Sequence, residues 1–124
     1  MLELTGPVPV TDQTFEVEVI RSPLPVVVDF YAEWSIPCRL TQPVLVDLSN
    51  RLIGRVKFAT ANIDESTRVT RSYGIHAVPT YLFVDSGQEK GREVGPLGAV
   101  EFRGMLRRYF AKRPPVSGGT PATP

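Results

Sequence analysis

The one cysteine and the one histidine of the chain are its most obvious candidates for nucleophilic, redox or metal chemistry. Cys38 ends the segment WSIPC, in which Ser35 occupies the place where a second thiol would complete a dithiol site. A single cysteine excludes an intramolecular disulfide, and Cys38 with His76 alone is too small a ligand set for zinc. The segment therefore indicates either a redox site that lacks one sulfur or a site with another chemistry.

The composition is that of an ordinary soluble globular domain. Its 124 residues suffice for one hydrophobic core, and 42% of them are hydrophobic. Fourteen basic residues against thirteen acidic ones create no strong field for nucleic acid or an anionic membrane. The longest apolar run, PLPVVV, is too short to cross a bilayer, and the N-terminal segment lacks the apolar core of a signal peptide. We therefore expect a cytoplasmic protein without a nucleic-acid or membrane partner.

Hydrophobic periodicity predicts the elements that position these residues. In chain order they are a strand at 8–10, a helix at 12–22, a strand at 25–32, a helix at 38–54, a strand at 56–64, a helix at 65–74, strands at 80–85 and 88–95, and a helix at 98–112. The run at 25–32 is typical of a buried central strand, and Asp29 is the one polar residue in it. The order β-α-β-α-β-α-β-β-α predicts a mixed sheet flanked by helices.

Two helices have apolar residues at regular spacings. In the helix after Cys38, they recur at i+4 intervals, and Pro43 inside the helix is expected to kink it. These residues are Leu40, Val44, Leu48 and Leu52. In the last helix, we expect one apolar side formed by Val100, Phe102, Leu106, Tyr109 and Phe110. The segment after it, PPVSGGTPATP at 114–124, has no apolar periodicity and is expected to be a flexible tail, either a frayed end or a tether, behind a domain at 1–113.

Four segments together resemble the thioredoxin family. They are VVVDFYAEWSIPCR, Pro43, YGIHAVPT and EVG, in the order and spacing of a family whose hallmark is Trp-Cys-Gly-Pro-Cys. The resemblance covers about residues 8–111 and implies an α/β thioredoxin fold, a central mixed β-sheet flanked by helices on both faces. It also implies a protein disulfide reductase that needs no cofactor, acts as a monomer on disulfide-containing proteins and receives electrons from a thioredoxin reductase.

The resemblance assigns roles to individual positions. Ser35 falls on the nucleophilic cysteine, Cys38 on the resolving thiol, and Asp29 on the buried carboxylate that accepts the proton of that thiol. Pro79 matches a cis-proline, beside which an extended substrate segment could pair with the backbone. The implied substrate-binding residues are Trp34, Ile36, Pro37, Ala77, Val78, Pro79 and Gly95.

Three positions depart from the family pattern. Ser35 replaces the attacking sulfur, Ile36 replaces a glycine, and Thr60 stands where many members carry a lysine near the aspartate. Without that cation, we expect the neutral form of Asp29 to be favoured. A hydroxyl is no nucleophile toward sulfur at neutral pH, so we expect the chain as written to lack disulfide turnover.

Three explanations of Ser35 stay open at this point. The chain is a disulfide reductase with an engineered active-site Cys→Ser change that prevents disulfide formation, or a natural thioredoxin-like module that binds proteins without redox chemistry. In the third explanation it is a different enzyme, in which His76 activates Ser35 or Cys38.

Overall fold

The computed structural model describes residues 6–110, which form five strands and four helical segments in the predicted order. The elements are β1 (Val8–Val10), a π-helical turn (Glu16–Ile20), β2 (Val26–Tyr31), α1 (Ile36–Arg51), β3 (Lys57–Asn62), α2 (Thr67–Ser72), β4 (Thr80–Asp85), β5 (Gln88–Val94) and α3 (Ala99–Phe110). No helix within 6–110 combines the length and the apolar character that crossing a membrane requires. The predicted domain end at 113 and the predicted tail at 114–124 lie outside the described residues.

The strands form one mixed sheet in the order β1-β3-β2-β4-β5. β3 pairs in parallel with β1 and β2, whereas β4 pairs antiparallel with β2 and β5. The strand β2 is therefore central, as its continuous apolar run predicted. Its register places Asp29 opposite Thr60 of β3 on one side and Tyr81 of β4 on the other.

Helical segments cover both faces of the sheet, which confirms the predicted fold. One core cluster joins the sheet to the π-helical turn and α2, where Phe15, Val19 and Val69 are buried. The other joins the sheet to α1 and α3, and it includes Leu45, Leu48, Phe102 and Phe110. Alternation along β2 sends Val28 to the first cluster and Val27 to the second, so Asp29 points toward α1.

The predicted helix at 12–22 is much shorter in the structure, where only the π-helical turn forms. Asp12 does not cap it. The Asp12 carboxylate instead accepts hydrogen bonds from the backbone N–H groups of Arg68 (3.2 Å) and Val69 (2.9 Å) in the first turn of α2. The side chain of Ser66, at the N-cap of α2, makes no capping bond, so a residue distant in sequence satisfies these donors.

The apolar spacing of the two long helices only partly matches their buried faces. Leu40 is 71% exposed. Residues four apart on a helix differ in direction by about 40°, so after two such steps a side chain has rotated out of the core-facing stripe. Val100 is 80% exposed, which makes the prediction that it lines one side with Phe102 wrong. Side chains two residues apart on a helix differ in direction by about 200°, so Val100 and Phe102 point to nearly opposite sides.

Candidate active site

Ser35 and Cys38 come together at the start of α1. Ser35 is the N-cap, with extended backbone, and its Oγ accepts a hydrogen bond from the backbone N–H of Cys38 at 3.3 Å. Pro37 lies in the first turn, where its missing donor costs no intrahelical bond. Cys38 is only 2% exposed, and Ser35 is also buried. The site thus places a hydroxyl oxygen at the helix N-terminus and a shielded thiol one turn further in.

Asp29 lies on the face of the sheet that packs against α1, and its side chain is buried. Its Oδ1 atom has no hydrogen-bond partner among the described residues. Burial raises the pKa of this carboxyl group from 3.8 to about 7, because the charged form loses its hydration. The shift toward the neutral form has the predicted direction, but burial is its cause; the facing residue on β3 is the uncharged Thr60.

The entrance to the site carries exposed apolar side chains. Trp34 is 65% exposed and Ile36 is 64% exposed, on either side of buried Ser35. The indole Nε1 of Trp34 donates a hydrogen bond to Asp64 Oδ2 at 3.0 Å, which restricts the orientation of the ring. Large apolar groups left in water beside a polar site are typical of a contact surface for another molecule.

The loop before β4 lies at the same edge of the sheet. Thr80 pairs with Phe30, so the cis peptide bond between Val78 and Pro79 lies opposite the end of β2 from which Ser35 follows. The Gly95 backbone N–H donates to the Pro79 carbonyl at 2.9 Å and ties this loop to the end of β5. Ala77 is exposed and Val78 half-buried. The structure therefore brings the sequence-predicted substrate-binding positions to one edge.

His76 is exposed on this loop. Among the hydrogen bonds of residues 6–110, none joins its ring to Ser35 or Cys38; the Ser35 hydroxyl instead accepts from the Cys38 backbone N–H. The described residues also contain no cluster of three side chains that could hold a metal ion. No hydrogen bond among the described residues therefore supports the explanation that His76 activates a nucleophile.

Sequence reasoning missed two residues beneath Cys38. The Thr41 hydroxyl donates to the Cys38 carbonyl at 3.1 Å, and Tyr81 lies opposite Asp29 with its hydroxyl buried. Burial raises the pKa of Tyr81 to about 12. Tyr81 belongs to an apolar strand, and only the register with β2 shows that it faces a carboxyl group; Thr41 was detectable, since it follows Cys38 by three helical residues.

Comparison with known proteins agrees with this geometry. The family model "Thioredoxin" matches residues 6–108. A thioredoxin of Rickettsia bellii (strain RML369-C) is 44% identical over 86 residues, which cover 69% of this chain and 82% of the relative. Thioredoxin 1 of Nostoc sp. (strain PCC 7120) is 38% identical over 101 residues, covering 82% and 94%. Because the family match spans most of the chain and these relatives are well above 30% identical to it, the chain belongs to the thioredoxin family of thiol–disulfide oxidoreductases.

Proposed function

We propose that this chain carries the site of a protein disulfide reductase in which Ser35 occupies the position of the nucleophilic cysteine. The observation that carries this proposal is the hydrogen bond between Ser35 Oγ and the backbone N–H of Cys38 at 3.3 Å. An anionic sulfur in place of this oxygen would receive the same donor and the positive end of the dipole of α1. The position is therefore suited to a thiolate.

The remaining residues fit the two steps of disulfide exchange. A thiolate at position 35 attacks one sulfur of a substrate disulfide, so that a mixed disulfide forms and one substrate thiolate leaves. The Cys38 sulfur then attacks the sulfur at position 35, which closes an intramolecular disulfide and releases the second substrate thiolate. Asp29 takes the proton of Cys38 in this step, and a thioredoxin reductase returns the two electrons.

The chain as written keeps the docking surface without the first step. The Ser35 hydroxyl is far less acidic than a thiol and does not attack sulfur at neutral pH. An extended segment of a disulfide-containing protein would lie along Ala77 and Val78, against Trp34 and Ile36. We propose that the protein does this as a cytoplasmic monomer, without a metal, nucleotide, nucleic-acid or membrane partner.

A second candidate function is a protein-binding module without redox chemistry. Serine is among the best helix N-caps, and Ser35 acts as one here, so its oxygen has a structural role of its own. Thr60 also leaves Asp29 without a cationic neighbour on β3. Both features are compatible with a site that no longer needs a nucleophile or an ionised carboxylate.

Restoring the sulfur distinguishes the two functions. The variant Ser35→Cys should reduce insulin disulfides with dithiothreitol as the electron source, whereas the chain as written should show only the uncatalysed rate. The matched control, Ser35→Cys with Cys38→Ser, should form a persistent mixed disulfide with substrate without turnover. If Ser35→Cys folds and remains as inactive as the chain as written, the reductase proposal is wrong and the binding module is favoured.

A further inference from the structure

Two buried polar side chains on the central strands each carry an oxygen without a hydrogen-bond partner among the described residues. Among the described residues, Asp29 Oδ1 and Tyr81 OH are both buried and unpaired. The two residues are directly opposite in the antiparallel register of β2 and β4, so their side chains lie on the same face of the sheet. Unpaired buried polar atoms are rare enough in folded proteins to require an explanation.

Packing fixes the position of the Tyr81 hydroxyl. The Tyr81 ring is fully buried and contacts Phe102 of α3 edge-on, with centroids 4.9 Å apart at 67°. The pKa of Tyr81 is raised to about 12, first by burial, and Asp29 and Cys38 add to the increase, while the Thr41 side chain and the Leu97 backbone lower it. These influences show that the hydroxyl lies near Asp29, near Cys38 and Thr41 of α1, and near Leu97 before α3. The group keeps its proton at neutral pH and is available as a donor.

The other surroundings of Asp29 offer little that could stabilise a carboxylate. Thr60 faces it from β3, and Tyr31 follows on the same face of β2. None of these residues is a cation, and burial is the one influence resolved on the pKa of Asp29. The side-chain donors directly opposite Asp29 in the sheet are therefore the hydroxyls of Thr60 and Tyr81.

We propose that Tyr81 is a positioning residue of the Cys38 site, whose hydroxyl donates a hydrogen bond to the ionised Asp29 carboxylate, directly or through one bridging water. The donor stabilises the carboxylate that takes the proton of Cys38, and Tyr81 keeps its own proton throughout. The two unpaired atoms would also supply two of the polar partners that a buried water needs. The importance of Tyr81 for exchange rests on the proposed reductase function, but the hydrogen bond itself does not.

The test is a titration of Asp29 in the chain as written, followed by the carboxyl-carbon NMR signal. Tyr81→Phe should raise the pKa of Asp29 by about half a unit or more, a threefold or larger loss in acid strength, because the donor to the charged form is gone. The matched control is Thr60→Val, which removes the hydroxyl on the other side of Asp29 and should leave the midpoint nearly unchanged. An unchanged or lowered midpoint in Tyr81→Phe, or a rise in Thr60→Val alone, overturns the proposal.

A second measurement needs no substitution at Tyr81. In the chain as written, the Tyr81 Cζ resonance should titrate with the midpoint of Asp29, since it senses ionisation of its acceptor. If the Cζ chemical shift does not change at the Asp29 midpoint, the proposal is overturned, even if Tyr81→Phe does not fold.

Activity then separates this inference from the proposed function. In Ser35→Cys, adding Tyr81→Phe should move the pH profile of insulin reduction upward by the same amount as the Asp29 midpoint. If Ser35→Cys is inactive while Tyr81→Phe still raises the Asp29 pKa, the reductase proposal fails and the hydrogen bond stands.

Discussion

Replacing the Asp29 carboxyl by an amide should stabilise the protein increasingly as the pH rises. The pKa of Asp29 is raised from 3.8 to about 7 by burial, so its contribution to stability is fully present below 3.8 and is lost as the pH rises to about 7. In that range the unfolded chain releases its proton before the folded chain does. Asp29→Asn removes this linkage at nearly constant volume.

The expected magnitude follows from the two pKa values. Each pH unit between them is worth about 1.4 kcal/mol, so the stability advantage of Asp29→Asn should grow by about 3 kcal/mol between about pH 4.5 and about pH 8. The cost of burying an amide is the same at both pH values and cancels in this comparison. The figure is an upper value, because the folded protein relaxes around a buried charge.

Urea denaturation at the two pH values measures this difference. The matched control is Asp47→Asn on the exposed face of α1, where Asp47 pairs with Arg51 at 2.9 Å. An exposed pair is worth about 0–1 kcal/mol, so the control should change little at either pH. An advantage of Asp29→Asn that is equal at both pH values, or a loss of stability at the higher one, would refute the reasoning.

Three further predictions concern the neighbours of the site and the packing of the helices. Thr60→Lys should lower the pKa of Asp29 by about one unit or more, because a nearby ammonium group favours the carboxylate. Carboxyl-carbon NMR measures this pKa, and an unchanged midpoint would contradict the register of β2 and β3. Cys38 should react with a thiol reagent at least about 100-fold more slowly in the folded chain than in urea, since so little of it is exposed; comparable rates would mean that the first turn of α1 opens readily. Gly91→Ala should lower the free energy of unfolding by about 1–3 kcal/mol, because a Cβ there collides with the Tyr109 ring. Gly104→Ala has open space in α3 and should raise the free energy of unfolding by up to about 1 kcal/mol. Urea denaturation compares the two variants, and equal effects would rule out the collision.

The sequence predicted the fold better than it predicted the faces of the helices. The apolar run of β2 and the turn residues around Ser86 and Gly87 are local signals, and both elements formed where expected. Leu40 and Val100 were wrongly assigned to buried faces. Which side of a helix is buried depends on the directions of all its side chains, not on the spacing of a few apolar ones. In α1 that distribution includes Cys38 and Thr41, which hydropathy spacing alone does not count.

The site was predictable where neighbours in sequence are neighbours in space. Ser35, Pro37 and Cys38 lie within one helical turn, so their spacing carries the information. The pairing of Asp29 with Tyr81 depends on the register between two strands more than fifty residues apart, which no local pattern encodes. For the same reason, the distant capping of α2 by Asp12 could not be predicted.

The central position of β2 divides the site into two parts with different freedom to change. Trp34, Ile36 and Ala77 are exposed on loops or at a helix end, so substitutions there should cost little in folding stability. Asp29 and Tyr81 belong to the strands on which both hydrophobic clusters depend, so any change there also changes global stability. If the proposed site acts as a docking surface, its exposed residues are therefore free to vary, whereas Asp29 and Tyr81 can change only together with compensating substitutions in the core.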